Sequence, residues 1–114
     1  MKIDRFEEIL SWQKARELTN EIYKTFGSST DFGFNNQIER ASVSIMNNIA
    51  EGFERKSNKE FRYFLFIAKG SCGEVRSMLY LAKDLEKLNE EKFTYLHKLS
   101  LEISKLISGL IKTL

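Results

Sequence analysis

Apolar residues along this 114-residue chain recur three and four positions apart, the period of helices with one buried face. Trp12, Ala15, Leu18, Ile22 and Phe26 share such a face and predict a first helix from Trp12 to Phe26, with Ser11 as its N-cap. The stretch "GSSTDFG", with two glycines and two serines, ends it. Phe34, Ile38, Ala41, Ile45 and Ile49 predict a second helix from Asn35 to Arg55. Ser57 and Glu60 have the spacing of a capping box, so a third helix starts at Asn58. Its inward face, Phe61, Leu65, Ala68, Cys72, Val75, Leu79 and Ala82, carries it to Leu88. Asn89 caps a fourth helix, and Glu90 and Glu91 suit its N-terminal dipole. That helix runs almost to Leu114, with Phe93, Leu96, Ile103, Ile107 and Leu110 inward.

Breaks this short make successive helices antiparallel neighbours. The expected fold is all-α, an up-down-up-down antiparallel four-helix bundle with a long third helix, and residues 1–114 form one domain. The absence of proline agrees, because a sheet protein of this length would use it in turns. With 42% apolar and 30% charged residues, the chain falls among ordinary folded domains rather than disordered ones.

A second stripe runs beside the apolar one on helix two. Gln37, Arg40, Ser44, Asn48, Glu51 and Arg55 fall within an arc of roughly 80°. Helix three offers Glu60, Ser71 and Glu74 at compatible spacing, and antiparallel packing would set Arg40 near Glu74 and Arg55 near Glu60. A solvated face, a functional surface and a partly buried seam are all consistent with this pattern. The seam is the preferred expectation, since arginine and carboxylate in good geometry satisfy each other.

Helix three also carries more apolar surface than a bundle needs. Tyr63, Phe66 and Tyr80 lie away from its inward face, which points to self-association. The alternative is cover by an N-terminal arm through Ile3, Phe6 and Leu10. Arg62, Lys69 and Arg76 recur seven apart and share one face, a candidate contact for nucleic acid. The net charge of only +2, mixed along the chain, makes a monomer a poor electrostatic binder; a symmetric oligomer would concentrate it.

Catalytic chemistry finds little to work with. His97 is the single histidine, and Thr94 three residues earlier breaks the Glu-x-x-His pattern of di-metal bundles. Cys72 is the single cysteine and reads as a small core residue. "GSCGE" lacks the lysine of a phosphate loop. No enzyme activity, metal, cofactor or small-molecule substrate is expected. The longest apolar run, "YFLFIA", is too short for a membrane span, and the N-terminus has no signal-peptide core, so a cytoplasmic location is expected.

The stretches "LSWQKARELTNEIY" and "FGFNNQIERASVSIMNNIAEGFERKSNKEFRYFLFIAKGSCGE" carry a resemblance over nearly the whole chain. They resemble the four-helix bundle proteins encoded in intervening sequences of bacterial 23S ribosomal RNA genes, and the related accessory proteins of diversity-generating retroelements. The motif falls on Gln37, Arg40, Ser44, Asn48, Ile49, Ala50, Glu51, Gly52, Arg55, Ser57, Glu60, Phe61, Phe64, Ala68, Gly70, Ser71 and Glu74. The resemblance implies a homopentameric barrel without known catalytic activity. Its accessory branch implies nucleic acid and a reverse transcriptase as partners. Glu39 stands where the family often has a second arginine, and Met46 where it often has a proline. The resulting expectation is a non-enzymatic homo-oligomeric bundle that binds RNA; the alternative is a protein–protein assembly module without nucleic-acid contact.

Overall fold

Four helices make up the computed structural model, which describes residues 2–114: α1 (Leu10–Phe26), α2 (Phe32–Phe53), α3 (Asn58–Asp84) and α4 (Glu90–Lys112). A single 3-10 turn, Phe6–Glu8, precedes them. Each helix packs on its two neighbours in a square, and the diagonal pairs lie too far apart for backbone contact. This is the all-α, antiparallel four-helix bundle that the apolar periodicity predicts. The 27 residues of α3 span about 40 Å at 1.5 Å each, close to the 43 Å long axis of the molecule.

The core holds every inward residue that the pattern names on α2 and α3. Leu18, Ile22 and Phe26 of α1 meet Ile38, Ile45 and Ile49 of α2, Leu65, Val75 and Leu79 of α3, and Leu96, Ile103 and Ile107 of α4. On α1 and α4, Trp12 and Leu110 are only partly buried at the edge of this cluster.

Three helices start on side-chain caps. The Asp31 carboxylate accepts the Phe34 N–H at 3.3 Å, the Ser57 hydroxyl accepts the Glu60 N–H at 3.2 Å, and Asn89 accepts the Lys92 N–H at 2.7 Å. The Ser57 hydroxyl in turn donates to the Glu60 carboxylate at 3.2 Å, closing the box between side chains. Helix α1 departs from expectation. It begins at Leu10, and its N-cap residue is Ile9, which makes no side-chain cap. Ser11 is buried inside the first turn, its Oγ without a partner, while Gln13 donates to the Glu7 carbonyl at 2.8 Å.

Helix α3 stops at Asp84 rather than Leu88. Glu86 takes a left-handed φ of 58°, and the Lys87 N–H returns to the Ala82 carbonyl at 2.8 Å. That is a Schellman-type ending built without glycine, so the sequence carries no stop signal there. Lys87 then reaches Asp31, at 2.8 Å, and ties the α3–α4 turn to the start of α2. The Lys87 ammonium and the Phe34 N–H together hold the Asp31 carboxyl below its ordinary range.

Candidate functional site: the α2–α3 seam and the outer face of α3

Small side chains occupy the middle of the α2–α3 contact. Ser44 and Ser71 share a hydrogen bond of 2.9 Å, and Asn48 donates to the Ser44 carbonyl at 2.8 Å and to its hydroxyl at 3.0 Å. Toward the other end of the contact, two turns beyond Ser44, sits Gly52. A Cβ added there would lie 2.7 Å from the Cβ of Phe64 and 3.0 Å from the Phe61 ring. The two backbones therefore run close, and no room remains between them for an arginine–carboxylate pair.

The long side chains turn outward as a result, and the expected cross-helix ion pairs do not form. Arg40 is exposed and donates to Asn36, one turn away on its own helix, at 3.3 Å. Glu74 instead receives Gln37 at 3.5 Å, at the limit of hydrogen-bond reach. Arg55, just past the end of α2, folds back on Glu51 in the last turn of that helix at 2.7 Å and lays its guanidinium 4.8 Å from the centre of the Phe64 ring. Glu60 stays with Ser57. Of the nine residues named for the seam, only Ser44, Asn48 and Ser71 are partly buried; the Ser44–Ser71 bond crosses between the helices, and Asn48 supports Ser44 from its own helix. Exposed pairs within one helix contribute little. Arg40→Ala is accordingly expected to shift stability by no more than about 0.5 kcal/mol. A urea midpoint lowered by the equivalent of about 1 kcal/mol or more would restore a buried role for Arg40.

A second polar seam, absent from the sequence expectations, joins α1 and α4. The Tyr95 hydroxyl donates to Glu17 at 2.7 Å, and Lys92 reaches Glu21 at 3.0 Å. The hydrogen bond to Glu17, together with burial, raises the Tyr95 phenol to about 12, and the bond from Lys92 lowers the Glu21 carboxyl. Its signal is present in the sequence as Glu17 and Glu21, four apart, opposite Lys92 and Tyr95, three apart.

The groups with reactive potential are occupied. Cys72 donates to the Ser100 carbonyl at 3.1 Å, and burial pushes its thiol up to about 11 despite the nearby Arg76 charge. Such a thiol is a poor nucleophile at neutral pH. His97 Nε2 is bonded to the Tyr80 hydroxyl at 2.9 Å, and the imidazole stacks on Phe93. Among the described residues no cluster of histidine, cysteine or carboxylate side chains could hold a metal ion.

The outer face of α3 carries two stripes side by side. The first contains Arg62, Phe66, Lys69, Gly73, Arg76 and Tyr80, spaced alternately four and three apart, with Lys83 beyond. Tyr80 and Lys83 show which way it leans. Tyr80 packs edge-on against Phe93 of α4, and Lys83 lies 4.7 Å from the centre of the same ring and pairs with Glu90. The second contains Tyr63, Ile67, Gly70, Glu74, Ser77 and Leu81 and is mainly apolar and small. Tyr63, Ile67 and Leu81 are 64%, 37% and 46% exposed. Tyr63 rests edge-on against Phe64, on the side facing α2. Tyr63, Phe66 and Tyr80 are thus all exposed but divide between the stripes, and Ile67 and Leu81 join them, which periodicity alone does not single out. The N-terminal turn packs on α1 and α2, and Leu10 is itself exposed, so the arm does not cover this face.

Among the described residues, none of Arg62, Lys69 and Arg76 has a carboxylate within ion-pair distance. Arg62 and Arg76 are half-buried and Lys69 is exposed. The Arg76 Nη1 is buried without a hydrogen-bond partner.

The helical architecture recurs in a solved crystal structure, that of a protein of unknown function from the S23 ribosomal protein family of Bacteroides thetaiotaomicron. The two superpose with a TM-score of 0.84 at 29% identity, over 90% of this chain and 99% of the other. No curated protein matches the chain. The family model described as 23S rRNA-intervening sequence protein matches residues 7–109, so the chain belongs to that family.

Proposed function

We propose that this protein is a cytoplasmic, non-enzymatic, homo-oligomeric helical bundle whose assembly binds RNA through the basic side of α3. The observation that carries the reading is the outer face of α3, where an exposed apolar stripe lies next to cations that no carboxylate neutralises. The apolar stripe suits a second copy of the chain, and the resemblance to pentameric bundles favours a closed ring of five. A single chain with a formal charge of +2 attracts polyanions weakly; five copies carry about +10 and repeat the Arg62, Lys69 and Arg76 patch around a ring. Contacts of this kind go to phosphates, so affinity depends on salt more than on sequence.

The test combines light scattering with titration of labelled RNA at about 50 and 200 mM salt. A ring is expected at micromolar protein, with RNA binding that weakens steeply at the higher salt and is largely lost in the Arg62→Ala, Lys69→Ala, Arg76→Ala triple variant. A monomer at that concentration overturns the assembly. A stable ring that binds no RNA at the lower salt leaves the protein–protein assembly module as the function. A reverse transcriptase, the other partner implied by the resemblance, would then be the first candidate for that module.

A further inference from the structure

We infer that the basic stripe of α3 recognises single-stranded rather than duplex RNA, with Phe66 and Tyr80 as stacking platforms. This rests on the RNA reading above and adds to it the form of the ligand. Phe66 lies between Arg62 and Lys69, and Tyr80 follows Arg76, so rings and cations alternate along one line. At 1.5 Å per residue the two rings stand about 20 Å apart along the helix, with two of the cations between them. The rings are 55% and 50% exposed. A phosphate backbone needs only the cations. Two half-exposed rings interleaved with them have no use for a duplex, whose bases are already stacked inside, whereas every unpaired base offers a face to stack on.

Three local features fit a strand laid along this line. The Tyr80 ring is fixed before any ligand arrives, through its hydroxyl on His97 Nε2 at 2.9 Å and its edge against Phe93. Gly73, between the rings, faces open space, since a Cβ there would meet nothing within 4 Å. A strand's backbone can therefore approach the helix closely at its midpoint. Between Arg62 and Tyr80 the single acid of α3, Glu74, stands off the line and accepts from Gln37 of α2, while Glu60, just before it, is held at Ser57. At the far end Lys83 is paired with Glu90, so the unpaired cations of the line are the exposed Lys69 and the half-buried Arg62 and Arg76.

Fluorescence anisotropy on the assembled protein at about 50 mM salt, with labelled oligo(U) and an RNA duplex of equal length, tests this. Single-stranded RNA is expected to bind about tenfold tighter than duplex, and Phe66→Ala and Tyr80→Leu are each expected to weaken it by about tenfold. Tyr80→Phe keeps the ring and should bind oligo(U) nearly as the parent does. Phe66 is mostly exposed and leucine keeps apolar contact with Phe93 at position 80, so the variants should fold and assemble, which circular dichroism and light scattering check. Duplex binding as tight as oligo(U) binding overturns the inference. So does a Phe66→Ala, Tyr80→Leu double variant, folded and assembled, with parental affinity for oligo(U). In both cases salt-sensitive binding through the cations would leave the broader RNA reading standing. Absence of any oligo(U) or duplex binding by the parent protein removes both readings together.

Discussion

Replacing Gly52 by alanine is expected to destabilise the fold by about 2 kcal/mol, although alanine is the better helix former by about 1 kcal/mol. The added methyl would sit 2.7 Å from the Cβ of Phe64, which is fixed to the α3 backbone and cannot swing away. The Phe61 ring and carbonyl close the other side at 3.0 and 3.3 Å. Relief requires α2 and α3 to separate, which would stretch the Ser44–Ser71 hydrogen bond about two turns away. Gly70 is the internal control. It lies mid-helix in α3, and a methyl added there would meet nothing within 4 Å, so Gly70→Ala should stabilise an isolated chain by about 0.5–1 kcal/mol. Urea unfolding of both variants decides the matter. A Gly52→Ala protein as stable as its parent would mean that the close approach of α2 and α3 is not a constraint on the fold.

The contrast between these glycines shows where the sequence speaks and where it is silent. Periodicity locates all four helices, because burying one face of an amphipathic segment leaves few alternatives. The caps at Ser57 and Asn89 are legible for a similar reason: each is a local hydrogen bond between near neighbours in sequence. The distance between helices is not legible. The polar stripe of α2 does lie beside α3, yet whether Arg40 meets Glu74 depends on a gap of a few ångströms that Gly52, Ser44 and Ser71 set jointly. A sequence spacing of three or four gives a direction around a helix and says nothing about that gap. The early end of α3 is hidden for a different reason, because Glu86 adopts a left-handed conformation without the glycine that normally announces it. On the candidate nucleic-acid face, the seven-residue recurrence of Arg62, Lys69 and Arg76 is plain in the sequence. Its division from the apolar stripe emerges only from the way Tyr80 leans on α4 and Tyr63 on Phe64.

Phe34→Ala should cost about 3–4 kcal/mol at the end of the bundle that carries the α1–α2 and α3–α4 turns. Phe34 is buried against Phe26, ring edge to ring face at 5.3 Å between centroids. The Lys87 ammonium lies 5.0 Å from the centre of the same ring while it pairs with Asp31. Asp31 in turn caps α2 by accepting the Phe34 N–H. Removing the ring therefore leaves a cavity beside Phe26 and also withdraws the surface on which Lys87 rests, loosening a tie between residues 56 apart in sequence. Phe34→Leu, which keeps most of the volume, should cost about 1 kcal/mol. Lys87→Ala alone should cost about 1 kcal/mol, and the Phe34→Ala, Lys87→Ala double variant should lose at least about 0.5 kcal/mol less than the sum, because the two side chains act as one unit. The same unit has a pH signature. Asp31 is held below its unfolded value, so its contribution is complete above that value and disappears as pH falls through the folded one. That acid sensitivity should shrink in Lys87→Ala. Strict additivity in the unfolding free energies, with an unchanged acid limb, would show that the ring, the ammonium and the cap act independently.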